Sequence, residues 1–302
     1  MPGVLITGAN GFIGAACLRV ASSFDLPVHA VSRRRAADKG CSWHQADLLD
    51  AGQVSALLAR IRPSHLLHLA WITTPGEYWT SPDNERWREA SLHLVREFAR
   101  QGGRRVLVAG TCAEYDWAGG TCDEATTPTR PATPYGRAKH ALHGELSRLT
   151  DAAGLELVWA RLFFLYGPGE HPARLVPSVI RALLRGEVAQ CSSGTQRRDF
   201  LHVADAAEAL TGLLFAPEIG TFNVASGEAI AVAEVVQTIG RLLSSSQRIQ
   251  LGVRPLNGAE PSLLVAEVHR LRAALGWSPR VSLARGLEQT IACWRRSLYA
   301  AA

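Results

Sequence analysis

The sequence predicts a doubly wound α/β fold, a parallel sheet covered by helices on both faces, with a smaller and mostly helical C-terminal lobe. Three observations predict it. Short apolar runs alternate with amphipathic helical patterns through the first 160 or so residues. A glycine-rich turn joins the first apolar run to the first helical one. The rhythm then changes after Tyr166-Gly167-Pro168-Gly169. Strands separated by helices have to be joined by crossovers, and crossovers generate parallel sheets buried on both faces.

Taken in order, Val4-Leu5-Ile6 is a buried strand and residues 11–22 form the helix after it. Residues 28–31 form a second strand. Residues 50–61 are helical, because Val54, Leu57, Leu58 and Ile61 recur at helix spacing. A strand at 65–69, a helix at 85–100 and a strand at 105–109 follow, then a helix at 134–150 and a strand at 155–161. Residues 170–197 carry an amphipathic helix built on Val176, Val179, Ile180, Leu183 and Leu184. Residues 200–224 return to the first domain with a helix at 204–215 and a strand at 221–224. The remainder, to residue 302, is mostly helical.

Composition narrows the function classes. With 47% apolar and 20% charged residues, the chain has ordinary globular make-up and enough length for a large core. Its net charge of +5 is not gathered into a basic stripe with stacking aromatics, so no nucleic-acid partner is expected. A mild positive excess instead suits a doubly negative diphosphate. Met1-Pro2-Gly3 leads straight into an apolar strand, and no apolar run reaches the roughly 20 residues of a membrane helix. A cytoplasmic protein with no membrane partner is therefore expected. Cys17, Cys41, Cys112, Cys122, Cys191 and Cys293 show no CxxC spacing, so neither a metal site nor a disulfide framework is predicted.

The turn Thr7-Gly8-Ala9-Asn10-Gly11-Phe12-Ile13-Gly14 stands directly after a strand and opens a helix. Glycines there let the backbone approach a pyrophosphate, while helix N–H groups and the helix dipole favour its charge. The spacing GxxGxxG points to a dinucleotide. NAD-binding folds place a carboxylate about 20 residues further on for the ribose. Here the second strand ends in Ser32-Arg33-Arg34-Arg35. Guanidinium groups can take a 2′-phosphate, so NADP(H) is favoured with NAD(H) kept open; the other reading is a solvated basic loop. Asp47, after the third strand, either accepts from an adenine amino group or caps the next helix.

Tyr135 and Lys139, in Pro134-Tyr135-Gly136-Arg137-Ala138-Lys139, share one helical face at i and i+4. A tyrosine titrates near ~10, and a neighbouring ammonium should lower that value and make Tyr135 an acid/base group. Thr111, at the end of the strand Val106-Leu107-Val108-Ala109, either bonds a substrate oxygen or caps a turn.

These segments resemble the extended short-chain dehydrogenase/reductase family, the nucleotide-sugar epimerases, dehydratases and reductases. The resemblance is carried by TGANGFIG at 7–14, HLA at 68–70, Thr111 four residues before Tyr115, and YGRAK at 135–139. RLFFLYGP at 161–168, RDFLHVADAAEAL at 198–210, FNVASG at 222–227 and LGWSP at 275–279 complete it. It covers nearly the whole chain and implies a Rossmann-type sheet. It implies that Thr111, Tyr135 and Lys139 are catalytic, and that Gly8, Gly11 and Gly14 hold the cofactor pyrophosphate, with contacts from Asn10, Phe12 and Ile13. Ser32, Arg33 and Arg34 would meet the ribose, Asp47 and Leu48 the adenine, and Leu69, Ala70 and Lys139 the rest of the cofactor. Arg198 matches an arginine that clamps a substrate diphosphate, unless it forms a structural salt bridge.

Two departures bear on the reaction. Family 4,6-dehydratases carry Thr-Asp-Glu, whereas here Cys112 and Ala113 follow Thr111 and Glu114 sits one residue late. Dehydration is not expected. The family's asparagine before the YGP turn is Phe164, which changes the sugar site. His171, Arg174 and the loop 71–87, with Trp71, Tyr78, Trp79 and Trp87, either line that site or are packing. The expected reaction is NADPH-dependent reduction of a keto group on a nucleotide-linked sugar, with NAD-dependent 4-epimerisation as the alternative. A non-catalytic dinucleotide-binding sensor or scaffold is the third reading. Residues 1–169, with 198–226, are read as the dinucleotide-binding domain. Residues 170–197 and 227–302 are read as the substrate lobe. Relatives in the family imply a homodimer through the helices at 85–100 and 135–150.

Overall fold

The structure is a computed structural model that describes residues 3–21, 23–33, 41–255 and 261–299. Its first part runs β1 (Val4–Thr7), α1 (Phe12–Ala21), β2 (Val28–Ser32), β3 (Ser42–Gln45), α2 (Ala51–Ile61), β4 (His65–His68) and α3 (Asp83–Arg100). Next come β5 (Arg105–Thr111), β6 (Thr121–Cys122), α4 (Pro134–Ala153), β7 (Glu156–Leu162), β8 (Phe164–Tyr166) and α5 (Leu175–Leu184). Then follow β9 (Ala189–Gln190), β10 (Arg197–His202), α6 (Val203–Phe215), β11 (Gly220–Val224) and β12 (Ala229–Ala231). The chain continues with α7 (Val232–Leu242), β13 (Ile249–Gln250), β14 (Leu263–Ala266), α8 (His269–Leu275) and α9 (Leu283–Tyr299).

The main sheet has seven strands in the order β11-β7-β5-β4-β1-β2-β3, all of them parallel. The period-2 pleat splits each strand between two cores. Val4 and Ile6 join Leu107 and Val158 under α1 and α6, whereas Leu5 joins Leu66, Val106, Val108 and Trp159 under α2, α3 and α4. This is the doubly wound fold expected. Its strand order reverses between β1 and β4, where open α/β sheets bind ligands beyond the strand carboxyl ends.

The C-terminal part is more than helical. Strands β12, β10, β14 and β6 form a second sheet, with β8 paired to β10, and β13 pairs with β9. The return to the main sheet is therefore made by α6 and β11, while β10 belongs to the smaller sheet. A third core, with Val176, Ile180, Val235, Ile239 and Leu287, fills the space between α5, α7 and α9. Among the described residues, no helix is long and apolar enough to cross a membrane. No cluster of three or more His, Cys, Asp or Glu among them could hold a metal ion.

Candidate active site

A cleft of about 1410 Å³ opens along the carboxyl ends of β1, β2, β4 and β5 and continues beneath the smaller sheet. Its first end is the glycine turn. Gly8 has a φ of 66°, a left-handed conformation open to glycine, and a Cβ there would stand 2.8 Å from the Ala70 nitrogen. A Cβ on Gly14 would stand 2.2 Å from the Gly8 carbonyl oxygen. Only glycines allow this close crossing of β1, α1 and β4, and it leaves a backbone cradle at the start of α1. Gly8, Asn10, Gly11, Phe12, Ile13 and Gly14 all line the cleft. Thr7 Oγ1 braces the crossing by accepting from the Leu69 and Ala70 N–H groups, at 3.1 and 3.3 Å. Thr7 is also linked to buried His68, which is bonded to Ser91. Burial drives His68 down to about 3, so it stays neutral.

Ser32, Arg33, Asp47, Leu48, Leu69 and Ala70 line the same end. Arg33 is exposed at its rim; Arg34 and Arg35 lie outside the described residues, as does Ser22. Asp47 does not cap α2. That position belongs to Asp50, whose carboxylate accepts from the Gln53 N–H, while Asp47 Oδ1 accepts from the Leu49 N–H. The residues present fit a dinucleotide: a glycine cradle, the Asp47 carboxylate and the basic Arg33 share one cleft.

The other end is built on the start of α4. Thr133 caps the helix by accepting from the Gly136 N–H, and Pro134 occupies the first turn, so Tyr135 enters the cleft at a fixed height. The Tyr135 N–H also donates to the Trp79 carbonyl at 3.2 Å, tying α4 to the 71–87 loop. Tyr78 and Trp79 meet the Tyr135 ring edge to face, at 5.0 and 5.7 Å, and Trp71 stands 6.5 Å away. Trp71, Tyr78, Trp79 and Trp87 thus both line the cleft and pack. Thr111 also serves twice. Its hydroxyl caps the turn at Cys112 by accepting from the Ala113 N–H, and it lies close enough to the Tyr135 phenol to favour the phenolate.

The expected lowering of the Tyr135 phenol is not found. Burial pushes the phenol well above its ordinary value, with the Tyr78 phenol acting in the same direction and the Thr111 hydroxyl opposing it. Lys139 carries only part of its charge near neutral pH. Its ammonium donates to the Ala109 carbonyl, lies over the Trp71 ring, and is held down to about 7 by burial.

Glu114 leaves the site altogether. It is fully buried, accepting from the Thr111 N–H, from Trp159 Nε1 and from Arg161 Nε, the last at 3.0 Å. Phe164 lines the cleft with its ring 5.5 Å from the Arg198 guanidinium. Arg198 is buried on the cleft wall and donates to the Arg197 and Pro261 carbonyls. Arg174 reaches across to Tyr78 Oη at 3.3 Å. The sequence reasoning missed Glu170, Trp117, Gln196 and Phe200, which also line the cleft. Their spacing carries no signal, because three separate segments bring them together. Two of these residues, Glu170 and Gln196, hold buried side-chain oxygens without a protein partner. A polar ligand is what such atoms await.

Residues 4–225 match the model of the NAD dependent epimerase/dehydratase family. The chain is 28% identical to the UDP-glucose 4-epimerase of Streptomyces lividans, over 91% of each chain. It is also 28% identical to the dTDP-glucose 4,6-dehydratase of Xanthomonas campestris pv. campestris, over 95% of this chain and 91% of that one. The solved structure of MoeE5 in complex with UDP-glucuronic acid and NAD is 31% identical, with a TM-score of 0.84, covering 98% of this chain and 99% of that one.

Proposed function

The chain belongs to the NAD-dependent epimerase/dehydratase family, and from that premise we propose that it is an NAD-dependent 4-epimerase of a nucleotide-linked sugar. It is an NAD(P)-dependent enzyme of the extended short-chain dehydrogenase type. The observation that carries the proposal is the placement of Thr111 and Tyr135 in one cleft with the glycine cradle. Withdrawal of Glu114 to Arg161 supports it, because the carboxylate that a dehydration would need faces the core.

NAD, when bound, supplies a hydride acceptor for the sugar carbon and returns the hydride to it. The cradle from Gly8 to Gly14 holds the pyrophosphate, Asp47 and Leu48 the adenine, and Ser32 and Arg33 the ribose. Tyr135 Oη exchanges a proton with the reacting sugar oxygen, and the Thr111 hydroxyl beside it in the cleft orients that oxygen. The rings of Trp71, Tyr78 and Trp79 pack around that of Tyr135 and make the surroundings of the phenol less polar. Lys139 anchors the nicotinamide ribose. Arg198 takes the diphosphate, while Phe164, Arg174 and Trp71 shape the sugar pocket. In this reading the main sheet with its covering helices holds the cofactor, and the smaller sheet with α5, α7 and α9 holds the sugar nucleotide. The pairing of α3 and α4 is the dimer face, tested by sedimentation.

NAD is preferred over the NADP suggested by Arg33 and Arg34 because the 31% identical MoeE5 is solved with NAD. The second reading is NADPH-dependent reduction of a keto-sugar nucleotide. It is favoured by Arg33 at the rim and by a resting phenol that keeps its proton, ready to donate it. Identification of the cofactor released when the purified protein is denatured decides between them. Retained NAD, with interconversion of C4 epimers, supports the epimerase. An empty site that binds NADPH more tightly than NADH overturns it in favour of the reductase.

A further inference from the structure

Glu170 follows the Gly167-Pro168-Gly169 turn and lines the cleft, yet its side chain is only 9% exposed. Its backbone N–H donates to the Gly167 carbonyl at 3.3 Å. The carboxyl oxygen Oε2 is buried without a hydrogen-bond partner in the protein. A buried carboxyl oxygen left in that state is destabilising, and one on a cleft wall is satisfied by whatever fills the cleft.

The surroundings say which part of a ligand it meets. Arg174, on the same turn, donates to Tyr78 Oη and stacks on the Tyr78 ring, with 5.1 Å between guanidinium carbon and ring centre. Tyr78 in turn meets the Tyr135 ring at 5.0 Å. The segment from Glu170 to Arg174 is thereby tied to the aromatic group that surrounds Tyr135. We propose that Glu170 determines which sugar is accepted, its Oε2 hydrogen-bonding directly to an oxygen of the sugar on which Tyr135 acts. The proposal rests on the sugar-nucleotide reading above.

Glu170 meets that oxygen in either protonation state, the acid O–H donating and the carboxylate accepting. Burial holds its carboxyl up at about 8, although Arg174 and the Gly167 N–H both favour the charged form. At neutral pH the group carries its proton, and a carboxylic acid O–H donates to a hydroxyl or carboxylate oxygen alike. The titratable and charged groups around it are Arg174 and His171 on its own segment and Tyr78 across the cleft. His202 stands behind the turn, where a Cβ on Gly167 would lie 3.1 Å from its Nε2. Lys139, held at about 7, titrates in the same interval, so a variant at position 170 is the necessary control.

The test is calorimetric titration of the NAD-loaded protein with UDP-glucose and with UDP alone, at pH 6.5 and 9.0. Wild type, Glu170→Gln and Glu170→Ala are compared, and their melting temperatures confirm folding. Wild type should bind UDP-glucose with similar affinity at both pH values, because a sugar hydroxyl accepts from the acid and donates to the carboxylate. UDP affinity should not change. Glu170→Gln keeps a donor and an acceptor and should bind like wild type, whereas Glu170→Ala should bind UDP-glucose about tenfold more weakly at both values, as expected for loss of one hydrogen bond. Equal effects on UDP and UDP-glucose, or no effect of Glu170→Ala, would overturn the role of Glu170 while leaving the enzyme reading intact. Failure of the wild type to bind either ligand would overturn the sugar-nucleotide reading, and this proposal with it.

Discussion

The ammonium of Lys139 lies 3.7 Å from the centre of the Trp71 ring and donates to the Ala109 carbonyl oxygen at 2.8 Å. The residue expected to charge the Tyr135 phenol is thus engaged by an aromatic face and a strand-end carbonyl. Burial lowers its value from 10.5 to about 7, and Glu114 acts in the opposite direction. Between those two values the unfolded chain binds more protons than the folded one. Stability from this group therefore rises with pH across that window, and below it the burial penalty is constant. Lys139→Met should remove the rise. Its melting temperature should exceed that of wild type most clearly below pH 7, with the gap narrowing towards pH 9. A gap that stays constant through this range would show that Lys139 keeps its charge in the folded protein.

Tyr135→Phe should retain the fold, because the ring contacts with Tyr78 and Trp79 and the backbone bond to the Trp79 carbonyl do not involve the hydroxyl. Turnover should fall by roughly 10²–10⁴, the range for loss of a positioned acid/base. Cofactor retained through purification should be unchanged. Undiminished turnover would remove Tyr135 from the chemistry.

The glycine cradle predicts a contrast within one residue type. Gly14→Ala drives a methyl group against the Gly8 carbonyl, so α1 has to shift, at a cost of about 1–3 kcal/mol with loss of bound cofactor. Gly144→Ala, inside α4, meets nothing nearer than the Arg148 guanidinium at 3.8 Å. It should stabilise by roughly 0.5–1 kcal/mol through helix propensity alone. Urea unfolding and cofactor content measured on both variants check the pair. Equal behaviour would mean that the turn tolerates a side chain.

Glu114 and Arg161 are 0% and 4% exposed, respectively, and bonded at 3.0 Å. Glu114→Gln keeps the shape but leaves the guanidinium buried without its countercharge. The expected loss is about 3–5 kcal/mol in urea unfolding. A loss below about 1 kcal/mol, the range of an exposed ion pair, would show that solvent reaches Arg161.

Much of the cofactor end was legible in the sequence because local rules govern it. The glycines at 8, 11 and 14 lie within one strand–turn–helix unit, and Tyr135 and Lys139 share a helical face by period alone. The sugar end was far less legible. Trp117, Glu170 and the pair Gln196 and Phe200 come from three segments, and only the packing of β8, β10 and the turns around them brings them together. The smaller sheet escaped for a related reason. Its strands run from two to six residues and pair over long sequence separations, so no alternation long enough to read is present.

By itself, then, the sequence determined what local propensity and pattern can determine: the strand–helix order, the glycine turn, the start of α4 and the residue types available for chemistry. Tertiary structure decided the state of those residues. Glu114, beside the site in sequence, points into the core because Arg161 and Trp159 are there to receive it. Lys139 turns to Ala109 and Trp71, Asp50 rather than Asp47 caps α2, and Glu170 keeps its proton inside a cleft wall. Burial and long-range partners set charge and direction, and neither is a property of neighbours along the chain.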